Sequence, residues 1–172
     1  MAQETQLNIV VIEHDPSRLK AIRQELYTST LYGNRVIAAD WNYSELPDYF
    51  ANLIVSERDL LRDDLELPVD HLARVLRPAG GVLLLGSIES WTENKINNVI
   101  EGLKANVKAE HKFDRSNNWL RFTKGKLKGA GSWTGLYGNK SKTSSTKDQL
   151  VKGPLGVLWF GEPGSKNMVD RH

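Results

Sequence analysis

Cysteine is absent from the 172 residues, which removes disulfides, thiol nucleophiles and Cys-ligated zinc or iron–sulfur sites from consideration. Histidine is scarce, and the four present, His14, His71, His111 and His172, include no pair at the HxxxH spacing of a helical metal site. Long apolar runs are missing too. The longest candidate, Gly81 to Gly86, is far shorter than the ~18–20 residues a membrane-spanning helix needs. Met1 to Gln6 is polar and lacks the basic and apolar regions of an export signal, so the default expectation is a cytoplasmic chain. No G-x-S-x-G elbow surrounds Ser56, Ser87 or Ser90, which counts against a hydrolase triad with His14. GxGxxG is also missing, which argues against a nicotinamide-dependent dehydrogenase, and no segment repeats.

What is there suffices for a packed core. Hydrophobic residues make up 40% and charged residues 26%, in a length suited to one domain or one domain with an appendage. The net charge of +2 conceals a division. Residues 1–100 hold nine Lys and Arg against fifteen Asp and Glu, and residues 101–172 hold fourteen against six. Such a split can mark a nucleic-acid contact. The lysines are scattered rather than gathered on one helical face, so a solvated basic tail is the favoured reading. Base stacking by Trp91, Trp119, Trp133 or Trp159 is likewise set below core packing, since Trp119 and Trp159 sit in apolar strands. Asp59, Asp63 and Asp64 read as a solvated loop rather than a cation cluster.

Hydrophobic patterning gives the architecture. Short, nearly continuous apolar runs at 7–12 (LNIVVI), 35–39 (RVIAA), 51–56 (ANLIVS) and 81–86 (GVLLLG) read as buried strands. Between and after them, apolar residues at helical spacing predict helices over 16–28, 65–76 and 92–107, the first opened by an Asp15 cap and Pro16. Residues 107–113 and 119–122 predict an antiparallel pair. The alternation predicts an α/β, Rossmann-like open and mostly parallel sheet with helices on both faces, the four main strands lying parallel in one sheet. Gly, Ser, Thr and Lys then dominate, with residues 140–147 (KSKTSSTK) reading as linker, so the expected organisation is a domain over 1–124 and an irregular tail over 125–172.

In an open parallel sheet ligands bind at the carboxyl ends of strands. The residues to inspect are therefore Glu13, His14 and Asp15, then Asp40 and Trp41, then Ser56 and Glu57, then Ser87 and Glu89. A strand-end carboxylate can accept from a ribose diol, Asp40 from an adenine amine, and Trp41 can stack on the adenine ring. Asp15 reads as a helix cap.

The segments IVVIEHDPSRLKAIRQEL, VIAADWNYSELPDYFANLIVSE and VLRPAGGVLLL resemble the class I S-adenosylmethionine-dependent methyltransferases over residues 7–90. The resemblance implies that S-adenosylmethionine is the cofactor, that Glu13 holds its ribose and that Asp40 lies beside the adenine. Leu76 to Gly81 matches the family's "LRPGG" turn. The glycine-rich turn that approaches the methionine part has no counterpart, since the chain begins at the family's second strand. That implies a gap in the middle of the sheet, exposed apolar edges, self-association, and weak or absent cofactor binding and methyl transfer by this chain alone. Residues 131–172, with LVKGPLGVLWFG and MVDRH, resemble the junction in large bacterial proteins where such a domain precedes a pyrroloquinoline-quinone-type β-propeller, so the chain is expected to be a fragment and its tail loosely held. The acceptor substrate is not indicated. Two other readings stay open: a non-catalytic interaction module on the same fold, and a degenerate response-regulator receiver domain, in which Ser56-Glu57 would replace the phosphoryl-accepting aspartate.

Overall fold

A computed structural model describes residues 2–56, 68–86, 88–116 and 118–154. They fall into two compact units, Met1–Leu127 and Lys128–His172. In the first, strand β1 (Ile9–Ile12) gives way to helix α1 (Pro16–Tyr27) at Asp15, whose carboxylate accepts from the Arg18 amide at 2.9 Å while Pro16 supplies the first helical turn. The chain returns as β2 (Val36–Ala39), parallel to β1 in the register Ile9–Val36 through Ile12–Ala39. A 3₁₀ turn at Tyr43–Glu45, capped by Asn42, leads on to β3 (Leu53–Ser56), α2 (Val69–Val75) and β4 (Gly81–Gly86). Thr92 caps α3 (Glu93–Asn106), and an antiparallel hairpin of β5 (Ala109–Arg115) and β6 (Trp119–Leu127) follows.

The α/β architecture matches the expectation: parallel strand pairs joined through helices, with an antiparallel pair at one edge. One part of the expectation is corrected. Among the described residues the four main strands are not hydrogen-bonded into one sheet. β1 and β2 form a two-stranded sheet, and β3 belongs to a four-stranded sheet in the order β3-β4-β6-β5. Among the described residues no strand pairs with the second edge of β1 or of β3. Apolar periodicity identifies strands, but pairing is a property of neighbours that a local pattern does not record.

The core lies where α2 and α3 pack on the larger sheet. Leu76, Leu83, Leu103, Leu120 and Phe122 are almost wholly excluded from solvent there, and Phe113 meets Phe122 at 5.0 Å between ring centroids. The turn before β4 explains its sequence. Gly80 has φ +120°, and a Cβ on Gly81 would sit 2.2 Å from the Arg77 carbonyl oxygen, so neither position accepts a side chain. The Ala79 and Gly80 amides donate to the carbonyls of Gly125 and Lys124 at 2.8 Å, tying the turn to the end of β6.

β6 runs to Leu127, five residues beyond the expected end, because Leu120, Phe122 and Lys124 alternate inward. Lys124 is the surprise. It is buried, its Nζ donates to the carbonyls of Ala73 and Leu76 at 2.6 and 2.7 Å, and it lies over the Tyr49 ring. It thereby satisfies carbonyls at the carboxyl end of α2, and burial pushes its pKa down. Trp119 is also corrected: it is 36% exposed rather than a core residue, its ring lying across Gly86. Trp91 is buried under the Lys95 ammonium, 4.9 Å from its ring centroid, and Trp159 lies outside the described residues.

In the second unit the described residues form no helix or strand. Hydrogen bonds within the unit shape its loops. The Ser144 amide donates to the Tyr137 carbonyl at 3.0 Å, and the Asp148 carboxylate accepts from the amides of Gly131, Leu150 and Val151 at 2.6–2.7 Å. Those three bonds hold the Asp148 carboxyl below the ordinary aspartate range. Residues 155–160, read as a strand or docking segment, lie outside the described residues.

Candidate nucleoside edge

Parallel pairing of β1 with β2 brings their carboxyl ends side by side. The Glu13 amide donates to the Ala39 carbonyl at 3.2 Å, extending the ladder by one step, so Glu13 and Asp40 leave the two strands as neighbours. The Glu13 carboxylate turns back on its own chain, where Oε1 accepts from the Asp15 amide at 3.0 Å. Asp40 turns the other way and meets His14: Nδ1 of the imidazole lies 2.5 Å from Oδ1 of the carboxylate. A carboxylate can only accept, so the imidazole donates from Nδ1. Both side chains are more than half exposed, at 53% for His14 and 59% for Asp40.

Tyr43 closes the group, its ring edge-on to His14 at 5.6 Å. Asn42 fixes Tyr43 from behind, with Oδ1 accepting from the Ser44 amide at 3.0 Å and the Ser44 hydroxyl at 2.8 Å. Arg74 of α2 anchors the same loop by donating to the carbonyls of Tyr43 and Leu46 and to Asp48. Trp41, next to Asp40 in the chain, is 38% exposed, so part of its aromatic surface meets solvent.

Of the five residues singled out from the sequence, Glu13, Asp40 and Trp41 are thus brought to one strand edge. Ser56 ends β3, which among the described residues belongs to the other sheet. Glu57 lies outside the described residues, as do Ser87 and the acidic run Asp59, Asp63 and Asp64. Asp15 caps α1 as expected. Sequence reasoning placed His14 among the strand-end residues but assigned it no role in holding a nucleoside. The signal was its position directly after Glu13 at a strand end, with an acid at the matching end of the next strand. Among the described residues no group of three His, Asp or Glu side chains could hold a metal ion. None of their helices is long and apolar enough to cross a membrane.

No protein-family model matches the sequence, and no curated protein does. Solved structures do match in shape. One is a Methanococcus maripaludis protein assigned as an S-adenosyl-L-methionine-dependent methyltransferase, 11% identical, with a TM-score of 0.58 over 73% of this chain and 70% of that one. The [4+2]-cyclase SpnF matches at 18% identity and TM-score 0.50 over 66% of this chain and 46% of its own. A Corynebacterium glutamicum protein matches at 15% identity and TM-score 0.50, over 67% and 60%. The chain therefore spans less than two thirds of the length of two of these three. At such identities the likeness establishes the fold alone, and that fold is methyltransferase-like.

Proposed function

We propose that the first unit is a methyltransferase-like domain whose β1–β2 edge receives the adenosine half of S-adenosylmethionine, and that residues 1–172 by themselves hold this cofactor weakly and transfer no methyl group. The observation that carries the first part is the placement of Glu13 and Asp40 side by side at the ends of paired parallel strands, with part-exposed Trp41 following Asp40 in the chain. Glu13 carries at the end of its strand the kind of group, a carboxylate, that accepts from a ribose diol, and Trp41 offers a stacking surface.

The second part rests on the edges of β1 and β3 with which no described strand pairs. The methionine end of the cofactor needs a close backbone approach, and no glycine-rich turn among the described residues lies along either edge. Bound, S-adenosylmethionine would supply an electrophilic methyl group. Rate enhancement in such transfers depends on holding that group in line with an acceptor, and an adenosine anchor alone does not fix it. The resemblance of residues 131–172 to the run into a pyrroloquinoline-quinone-type propeller supports placing the domain within a larger fusion.

Titration calorimetry with S-adenosylmethionine, S-adenosylhomocysteine and adenosine tests this reading. All three should bind weakly and with similar affinity. Glu13→Ala should cost roughly 1.5–3 kcal/mol of that binding, the scale of a hydrogen bond to a charged group. Sub-micromolar affinity for S-adenosylmethionine in a monomeric sample, or a Glu13→Ala protein that binds as well as wild type, would remove it.

A second reading has one observation in its favour. Leu53 and Val55 are exposed on β3, beside an edge that no described strand pairs with, and an apolar edge of that kind recruits another strand. That is the surface of a non-catalytic interaction module. It would be supported by a protein that binds none of the three nucleosides yet self-associates.

A further inference from the structure

We propose that His14, rather than Asp40, is the hydrogen-bond acceptor this edge offers to the exocyclic amine of adenine, and that Asp40 is a positioning residue that fixes the tautomer of His14. The inference rests on the adenosine reading above and changes which side chain reads the base.

The argument is one of donor and acceptor counting. Asp40 is the residue whose position suggests an acceptor for the amine; its Oδ1 is engaged by the His14 imidazole at 2.5 Å, which leaves its other oxygen as the competitor that the variants below must separate from His14. A carboxylate has no proton to give, so Nδ1 carries one. A neutral imidazole has a single N–H, which leaves Nε2 as a bare lone pair. Nε2 has no partner among the described residues, and half of the side chain faces solvent. Tyr43, edge-on to the ring and held by the Asn42-capped turn, limits rotation of the imidazole. The pair therefore presents a fixed acceptor at the end of β1, one residue from Glu13. Adenosine carries an amine donor at the corresponding ring position, and inosine carries a carbonyl acceptor. A bare Nε2 favours the first and repels the second.

Adenosine and inosine are titrated into wild type, His14→Ala, Asp40→Asn, the double variant and Glu13→Ala, and His14 nitrogen shifts are read in long-range ¹⁵N–¹H spectra. Wild type should prefer adenosine by about tenfold, the scale of one good hydrogen bond, and His14→Ala should lose that preference. Asp40→Asn, whose amide no longer dictates which ring nitrogen carries the proton, should lose part of it. The double variant should be no worse than His14→Ala, because both changes act through one group. The spectra of the free protein should show Nδ1 protonated and Nε2 bare. If His14→Ala keeps the adenosine preference while Asp40→Asn abolishes it, Asp40 reads the base directly and the inference falls alone. The opposite tautomer likewise overturns the inference alone. If wild type binds adenosine but neither His14→Ala nor Glu13→Ala changes the binding, or wild type binds neither nucleoside, the adenosine reading and the inference fall together.

Discussion

The two sheets of the first unit are built to different standards. The larger one is sealed: Leu83 and Leu85 on β4 and Leu120 and Phe122 on β6 are each about 1% exposed beneath α2 and α3. The β1–β2 sheet is thin by comparison. All four residues of β1 are only half-buried, and burial is concentrated in Val36, Ala38 and Ala39 of β2 and Leu19 of α1. Yet the thin sheet carries the exposed His–Asp pair, the strand-end acid and the part-exposed tryptophan. Stability is stored in one region and candidate chemistry is displayed by the other, as expected when binding groups must stay open to solvent while a scaffold holds them. A two-stranded parallel sheet is marginal in isolation, because parallel strands are ordinarily covered on both faces and flanked on both edges.

The comparison breaks most directly in the core. Phe122→Ala should destabilise the unit by about 3–5 kcal/mol, whereas Val36→Ala in the thin sheet should cost only about 1–2 kcal/mol. Chemical denaturation measures both. Native-state hydrogen exchange should also find β1 and β2 amides opening more readily than those of β4 and β6, and equal protection would erase the distinction.

Lys124 sharpens the contrast from within the sealed region. Lys124→Met keeps the aliphatic stem but leaves the Ala73 and Leu76 carbonyls without their donor, an expected loss of about 1–3 kcal/mol. The sign of the pH effect follows from burial. Because the folded pKa lies below the ordinary 10.5, the unfolded chain binds more protons between the two values, and this group's contribution to stability rises with pH across that window. Wild-type stability minus that of Lys124→Met should therefore climb as pH approaches 10.5. A flat difference would mean the ammonium is not desolvated.

The β3 edge with which no described strand pairs gives a third, smaller effect. Val55→Lys places a charge on an exposed apolar strand and should reduce self-association in sedimentation velocity while leaving the melting temperature nearly unchanged. A species distribution identical to wild type would show that this edge is not the contact.

The smallest effect is expected in the second unit, whose described residues form no sheet. Asp148→Asn should speed amide exchange at Gly131, Leu150 and Val151 without a global change. Since the folded carboxyl titrates below its usual 3.8, its contribution is present above that value and disappears as pH falls through the lower folded pKa. Acidification of wild type should then reproduce the variant's exchange pattern at those three amides.

The sequence alone determined a great deal here. Strand and helix identities were readable because apolar residues recur with the period of the element they bury: GVLLLG became β4 over the residues expected, and Asp15-Pro16 opened α1. The strand-end rule likewise located Glu13, Asp40 and Trp41, since parallel pairing carries residues after one strand to those after its neighbour. Tertiary structure alone decided the rest. Nothing in the sequence marks Lys124 as buried; the neighbouring carbonyls of α2, which accept from its ammonium, offset the cost of burying it. Among the described residues two sheets stand where one was expected, because the hydrogen-bond partner of an edge is set by what lies beside it, which no local pattern records. His14 acquired its meaning in the same way: whether an imidazole donates or accepts depends on the group 2.5 Å from Nδ1, and that group is 26 residues distant in the chain.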